Sequence, residues 1–151
     1  MNRTERLANL HRTLTERIML LDGGMGTMIQ GYKLTEADYR GERFKDWACD
    51  LKGNSDILVL TRPEIIKAIH TKYMESGADI VETNTFTANY SSQADYQMEH
   101  LVREINLAGA KVARNAADEY FAKTGAVKFV AGALGPTNRT ASLSATRSPA
   151  C

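Results

Sequence analysis

Three times along this chain a short apolar run ends in a loop of small and polar residues, and a helical pattern separates each run from the next. The junctions read "LLDGGMGT" at 20–27, "DIVETNTFTANY" at 79–90 and "KFVAGALGPTNRT" at 128–140. Strands that alternate with helices pair in parallel, because only a long crossover can return the chain to the same end of a sheet. Parallel sheets in turn place their ligands at the carboxyl ends of the strands. The alternation therefore predicts an α/β fold with three polar loops gathered at one end.

The intervening segments agree with that reading. Leu7, Leu10, Leu14 and Ile18 fall at helical spacing, which predicts an amphipathic amino-terminal helix from Arg3 to about Arg17, within 1–17. Ile18 to Asp22 reads as a first buried strand. From Gly31 to Gly53 the chain is polar and irregular around Tyr39, Phe44 and Trp47, an ordered surface excursion and not a linker. Pro63 can open a helix whose apolar face is Ile65, Ile66, Ile69, Tyr73 and Met74, and Gly77 can stop it before a strand over Ala78 to Thr83. A longer helix carries Leu101, Ile105, Ala108, Val112 and Ala116 and ends near Thr124–Gly125, ahead of the strand "KFVAGAL". A closed (β/α)₈ barrel typically takes about 250 residues. A chain of 151 residues with three such strands is expected to be the amino-terminal portion of one, about three βα units, incomplete in this chain. An open three-stranded sheet is the alternative, with exposed apolar edges.

Composition narrows the function classes. A formal net charge of +1 advertises neither nucleic acid nor an acidic membrane surface. No apolar run approaches the roughly 20 residues of a membrane helix. The start "MNRTERLANLHRTLTER" lacks the apolar core of a signal peptide, and Cys49 and Cys151 make no disulfide framework, so a cytoplasmic location is expected. The two cysteines also carry no zinc spacing. His11, His70 and His100 fall on helical patterns, away from the strand ends, and are expected to be structural or solvent-facing.

The first junction is the most informative. Gly23, Gly24 and Gly26 follow an aspartate at the end of an apolar run. A dinucleotide fingerprint starting at Gly24 would need a small third position and meets Ile29, and no Gly-Lys-Ser/Thr ending makes a phosphate loop. A plain tight turn accounts for isolated glycines. Bare backbone N–H groups beside Asp22 also suit a ligand with a carboxylate and an ammonium group, an amino acid. The second loop adds Glu82, Thr83, Asn84 and Thr85, and the third adds Asn138, Arg139 and Thr140, each of which alone is also explained by local capping.

Taken together, "IMLLDGGMGTMIQ", "DILVLTRPEIIKAIHTKYMESGADIVETNTFTANY" and "AGALGPTNRTASLS" resemble the amino-terminal homocysteine-binding domain of the cobalamin-dependent methionine synthases, within the homocysteine S-methyltransferases. The resemblance runs from about Leu10 to Ser144, and the excursion "GERFKDWACDLKGNSD" looks like those enzymes and not like the shorter stand-alone homocysteine methyltransferases. It implies a (β/α)₈ barrel that binds homocysteine at its strand ends. It implies Asp22, Gly23 and Gly24 as holders of the amino and carboxylate groups, Thr83 and Glu82 at the same mouth, and Asn138 in the third loop. It also implies a zinc ion on three downstream cysteines, cobalamin as the methyl carrier, recharged by 5-methyltetrahydrofolate, and folate- and cobalamin-binding modules as partners in the same enzyme. Cys49 and Cys151 do not occupy the zinc positions. The tail 145–151 departs from the family pattern after Ser144, as a frameshift or gene-model error would produce. Residues 1–151 are thus expected to form a partial homocysteine-binding domain, with no catalytic residue, no metal ligand and no methyl transfer of its own. A stand-alone homocysteine methyltransferase using another donor and a non-catalytic amino-acid-binding module are the other two readings.

Overall fold

Asn2 opens the first helix as a reciprocal cap: its side chain accepts from the Glu5 N–H while the Glu5 carboxylate accepts from its own N–H. The structure, a computed structural model, describes residues 2–137. Helix α1 spans Arg3–Glu16 and buries none of its residues, with Leu7 and Leu14 both about half exposed. Its leucine stripe is present, but it does not reach the core.

The chain then runs through Leu21, which makes a single parallel bridge to Ile80, into the short helix α2 (Met25–Gln30). The expected first buried strand is thus a bridge and not a full ladder, and Ile18 is 86% exposed, Leu20 57% and Leu21 53%. The physical reason is pairing on one side only: Leu20 and Asp22 exchange backbone hydrogen bonds with 79–80, and nothing among the described residues covers the other edge.

The excursion is ordered, and it is more than a surface feature. It contains helix α3 (Glu36–Arg40) and buries Tyr39, Phe44 and Leu51. Its irregular backbone is satisfied by two side chains. The Arg40 guanidinium donates to the carbonyls of Trp47 at 2.6 Å and Cys49 at 3.0 Å. The Glu36 carboxylate accepts from the N–H groups of Leu51 and Lys52 and pairs with Arg40. Buried backbone needs such partners wherever no helix or sheet supplies them.

A 3₁₀ turn at Ser55–Ile57 and helix α4 (Leu58–Thr61) lead into α5 (Pro63–Glu75), which begins on proline as expected. Gly77 has φ +107°, the left-handed region that glycine occupies without cost. Strand β1 (Ile80–Glu82) follows, then the short helix α6 (Tyr90–Gln93) and the long helix α7 (Val102–Thr124), closed by Gly125 at φ +73°. Strand β2 (Phe129–Ala131) pairs in parallel with β1 in the register Ile80↔Phe129, Val81↔Val130, Glu82↔Ala131. Three neighbouring parallel segments, with α5 and α7 as crossovers, make a helix-rich α/β fold with a small parallel sheet.

The main core joins the excursion to the helices, with Leu51, Ile57, Leu58, Ile66, Ile69 and Ile105 fully buried. A second cluster, Met74, Val81, Ala116 and Ala117, seats α5 and α7 on β1. Gly109 permits the close approach of α7 to the strand end, since a Cβ there would stand 2.6 Å from the Thr85 methyl. At the entry end of the sheet, Arg17 donates twice to Asp79 at 2.7 Å, and the Lys128 ammonium donates to the Ala78 carbonyl.

Candidate functional site

Parallel pairing puts the three junctions side by side, and between them opens a cavity of about 500 Å³. Asp22, Gly23, Gly24 and Gly26 line it from the first junction, and Glu82, Thr83, Phe86 and Thr87 from the second. Ser55 and Asp56 add a wall from the end of the excursion, and Ala133 one from the third junction. Five of the six site residues read from the sequence therefore meet in one space; the sixth, Asn138, lies outside the described residues, as do Arg139, Thr140 and the tail 145–151. A larger cleft of about 660 Å³ lies around Arg40, Arg43 and Arg62, away from the strand ends. Those arginines are already paired with Glu36, Glu104 and Asp38.

Asp22 dominates the chemistry of the cavity. Its Oδ2 accepts from the Glu82 N–H at 3.0 Å, while its Oδ1 is buried with no hydrogen-bond partner. Burial pushes its pKa up to about 6, against the opposing pull of the Glu82 bond. A buried acceptor without a donor is costly, and a cationic donor entering the cavity would remove that cost.

Beside it, the N–H groups of Gly23 and Gly24 have no partner among the described residues. Neither glycine has a positive φ, so what glycine supplies here is space, not left-handed freedom. A Cβ on Gly26 would meet nothing within 4 Å, which means that a side chain there would project into open space. The Tyr73 hydroxyl, on α5, donates to the Gly24 carbonyl at 3.2 Å and braces the loop from behind.

Thr83 lines the cavity, but its hydroxyl is engaged. Thr85 Oγ1 donates to the Ala133 carbonyl, so the proton between the two threonines, 2.7 Å apart, belongs to Thr83. Thr83 Oγ1 also accepts from the Ala133 N–H at 3.0 Å. The pair joins the second junction to the third. The Glu82 side chain is exposed, and only its backbone N–H meets Asp22. Asn84 is buried and donates to the Ser55 carbonyl at 2.8 Å.

The sequence reading missed Asp56, Phe86 and Thr87 as lining residues. Asp56 follows an unremarkable "GNS", with no local signal that a distant loop would fold onto it. The histidines stay outside the cavity. His70 is fully buried on α5 with both ring nitrogens unpartnered, and burial pushes its pKa down to about 4. His100 stacks on Trp47, and His11 is exposed. Cys49 is buried and is not a free thiol; Cys151 lies outside the described residues.

Among the described residues no group of three or more His, Cys, Asp or Glu is placed to hold a metal ion. Among these residues the zinc implied by the resemblance finds no donor set. No helix among these residues is long and apolar enough to cross a membrane.

The family model described as homocysteine S-methyltransferase matches residues 19–150. The chain belongs to the homocysteine S-methyltransferase family. Among solved structures it is similar to the metallated and oxidised forms of the homocysteine methyltransferase MmuM from Escherichia coli. Both are 24% identical to it, with TM-scores of 0.66 and 0.65. These matches cover 84% and 82% of this chain but only 41% and 39% of the MmuM chains, so the chain spans about two-fifths of their length. At that identity the likeness is one of fold.

Proposed function

We propose that the strand-end cavity binds homocysteine by its amino-acid end, as part of a homocysteine methyltransferase. The observation that carries this is the buried, unpartnered Oδ1 of Asp22 next to the unpartnered N–H groups of Gly23 and Gly24. An α-amino acid carries complementary charges two bonds apart. Its ammonium donates to Asp22 Oδ1 and its carboxylate accepts from the glycine N–H groups. Thr83 holds the loops in place, Glu82 stands at the rim, and Asn138 is the third loop's contribution in this reading.

The finer reading follows the sequence resemblance. The three parallel segments are the first of eight barrel strands, and residues 1–151 are one partial homocysteine-binding domain of a methionine synthase. The methyl donor is then methylcobalamin, recharged by 5-methyltetrahydrofolate on other modules, in a cytoplasmic enzyme whose zinc cysteines lie elsewhere in the longer protein. What supports this is the excursion "GERFKDWACDLKGNSD". The second reading is a stand-alone homocysteine methyltransferase with another donor, and the fold, shared with MmuM, is compatible with both. Sequencing the coding DNA beyond the codon for Cys151 in all three frames separates the two: folate- and cobalamin-binding modules support the first, and a barrel that ends without them supports the second.

Binding itself is tested by titrating the 151-residue chain with L-homocysteine and with 4-mercaptobutanoate, which lacks the ammonium group. Saturable binding of homocysteine with at least about tenfold preference over the amine-free analogue is expected. Equal affinity for both removes Asp22 as the ammonium acceptor.

A further inference from the structure

We propose that Asp56 is a positioning residue of this cavity. Through Thr87 it anchors the loop after β1 in the conformation that gives the cavity its Phe86–Thr87 wall. The ligand readout below rests on the homocysteine reading; the anchoring does not.

In the loop from Thr83 to Asn89, Thr83, Asn84, Thr85 and Ala88 are buried, whereas the Phe86–Thr87 stretch is not: Phe86 is 56% exposed, and besides the bonds described below Gln93 Nε2 donates to the Thr87 carbonyl at 3.3 Å. What fixes this stretch comes from about 30 residues earlier. Asp56, on the 3₁₀ turn at Ser55–Ile57, is 2% exposed. Its Oδ2 accepts both the N–H and the hydroxyl of Thr87, each at 2.7 Å. Two neutral bridges run alongside: Asn84 to the Ser55 carbonyl, and the Asn54–Gln93 amide pair at 2.9 and 3.2 Å. The Asp56 oxygen makes the shortest bonds of the set and takes two donors from one loop residue, so it fixes the Thr87 backbone and side chain together. The effect passes onward, because the Phe86 carbonyl accepts from the Gly135 N–H at 3.0 Å and so ties the third junction to the same loop. The excursion, whose arginine and glutamate braces have no direct access to the cavity, thereby shapes it.

The competing role is direct: the Asp56 carboxylate takes the ligand's positive charge itself. Asparagine separates the two, since its carbonyl oxygen can accept both Thr87 donors without the charge. The experiment uses the full chain as wild type, Asp56→Asn and Asp56→Ala. It reads amide hydrogen exchange at Thr87 by NMR without ligand, and the Kd for L-homocysteine. We expect Asp56→Ala to speed Thr87 exchange and weaken homocysteine binding by about tenfold each, with Asp56→Asn within about threefold of wild type in both. Unchanged Thr87 exchange in Asp56→Ala overturns the anchor. Asp56→Asn binding as poorly as Asp56→Ala while Thr87 stays protected overturns it in favour of direct contact. A wild type that binds no homocysteine, with Thr87 exchange still responding to Asp56→Ala, defeats the ligand reading and leaves the anchor standing. If Asp56→Ala fails to fold by circular dichroism, Thr87→Val removes the hydroxyl arm alone. Exchange about threefold faster is then expected, and no change overturns the anchor.

Discussion

Asp22 and Asp79 stand at opposite ends of the same pair of strand segments, and they are opposites in chemistry. At the entry end, Asp79 accepts two bonds from Arg17 and one from the Leu20 N–H. At the exit end, Asp22 accepts one backbone N–H and keeps a buried oxygen with nothing on it. The Arg17 hydrogen bonds hold the Asp79 pKa down at about 2, while burial lifts that of Asp22 to about 6. One carboxylate is completed by the fold and fastens it. The other is left incomplete by the fold, and it is this free oxygen to which the proposed function assigns a ligand's ammonium group.

The comparison can be broken most directly at Asp79. Asp79→Ala strands the Leu20 N–H and releases Arg17, and is expected to cost about 2–3 kcal/mol in urea unfolding. A midpoint within error of wild type would mean that the entry-end clamp is ornamental. Asp22→Asn should do the reverse: homocysteine binding weaker by about 10- to 100-fold, with an unfolding midpoint equal to or above wild type. A clear loss of stability in that variant would make Asp22 a structural residue like Asp79.

The pH dependence sharpens the contrast, because the signs differ. Asp79 is depressed, so its stabilisation is present above its ordinary value of 3.8 and is lost as pH falls through about 2. Asp22 is raised, so its ionised form burdens the unliganded fold, and that burden lifts as pH falls from above about 6 towards 3.8. In the proposed binding mode homocysteine requires the ionised form, so its affinity should fall by up to about tenfold per pH unit below 6. Asp22→Asn should flatten that profile; a wild-type profile already flat between pH 5 and 7 would remove the Asp22–ammonium contact. The smallest effect belongs to the open edge: Ile18→Thr should change stability by no more than about 0.5 kcal/mol, checked by urea unfolding. A cost above about 1 kcal/mol would show that Ile18 is covered after all.

Local patterns carried the helices well. Pro63 and Gly125 mark a start and a stop where the structure has them, and the stripe through Ile66, Ile69 and Met74 is the buried face of α5. The strands were legible in place but not in length. Ile18–Asp22 has the composition of a buried strand, yet its exposure depends on which neighbours cover it, which no local pattern encodes. The excursion was read as polar surface. Arg40 and Glu36 show why it is more: two long charged side chains reach back over their own loop, a contact with no periodicity to betray it.

By itself, then, the sequence determined the alternation of helix and parallel strand and the gathering of Asp22, the glycines and Thr83 at one end, because each follows from local spacing plus the geometry of crossovers, while the family came from the resemblance of its three strand-end motifs. Only the tertiary structure decided which carboxylate is satisfied and which is not. It also brought Asp56 onto Thr87 and turned Thr83 from a ligand-facing hydroxyl into a brace between loops. Those outcomes depend on pairs of atoms 31 to 62 residues apart, and a hydrogen bond's worth is set by burial and partners that exist only once the chain has folded.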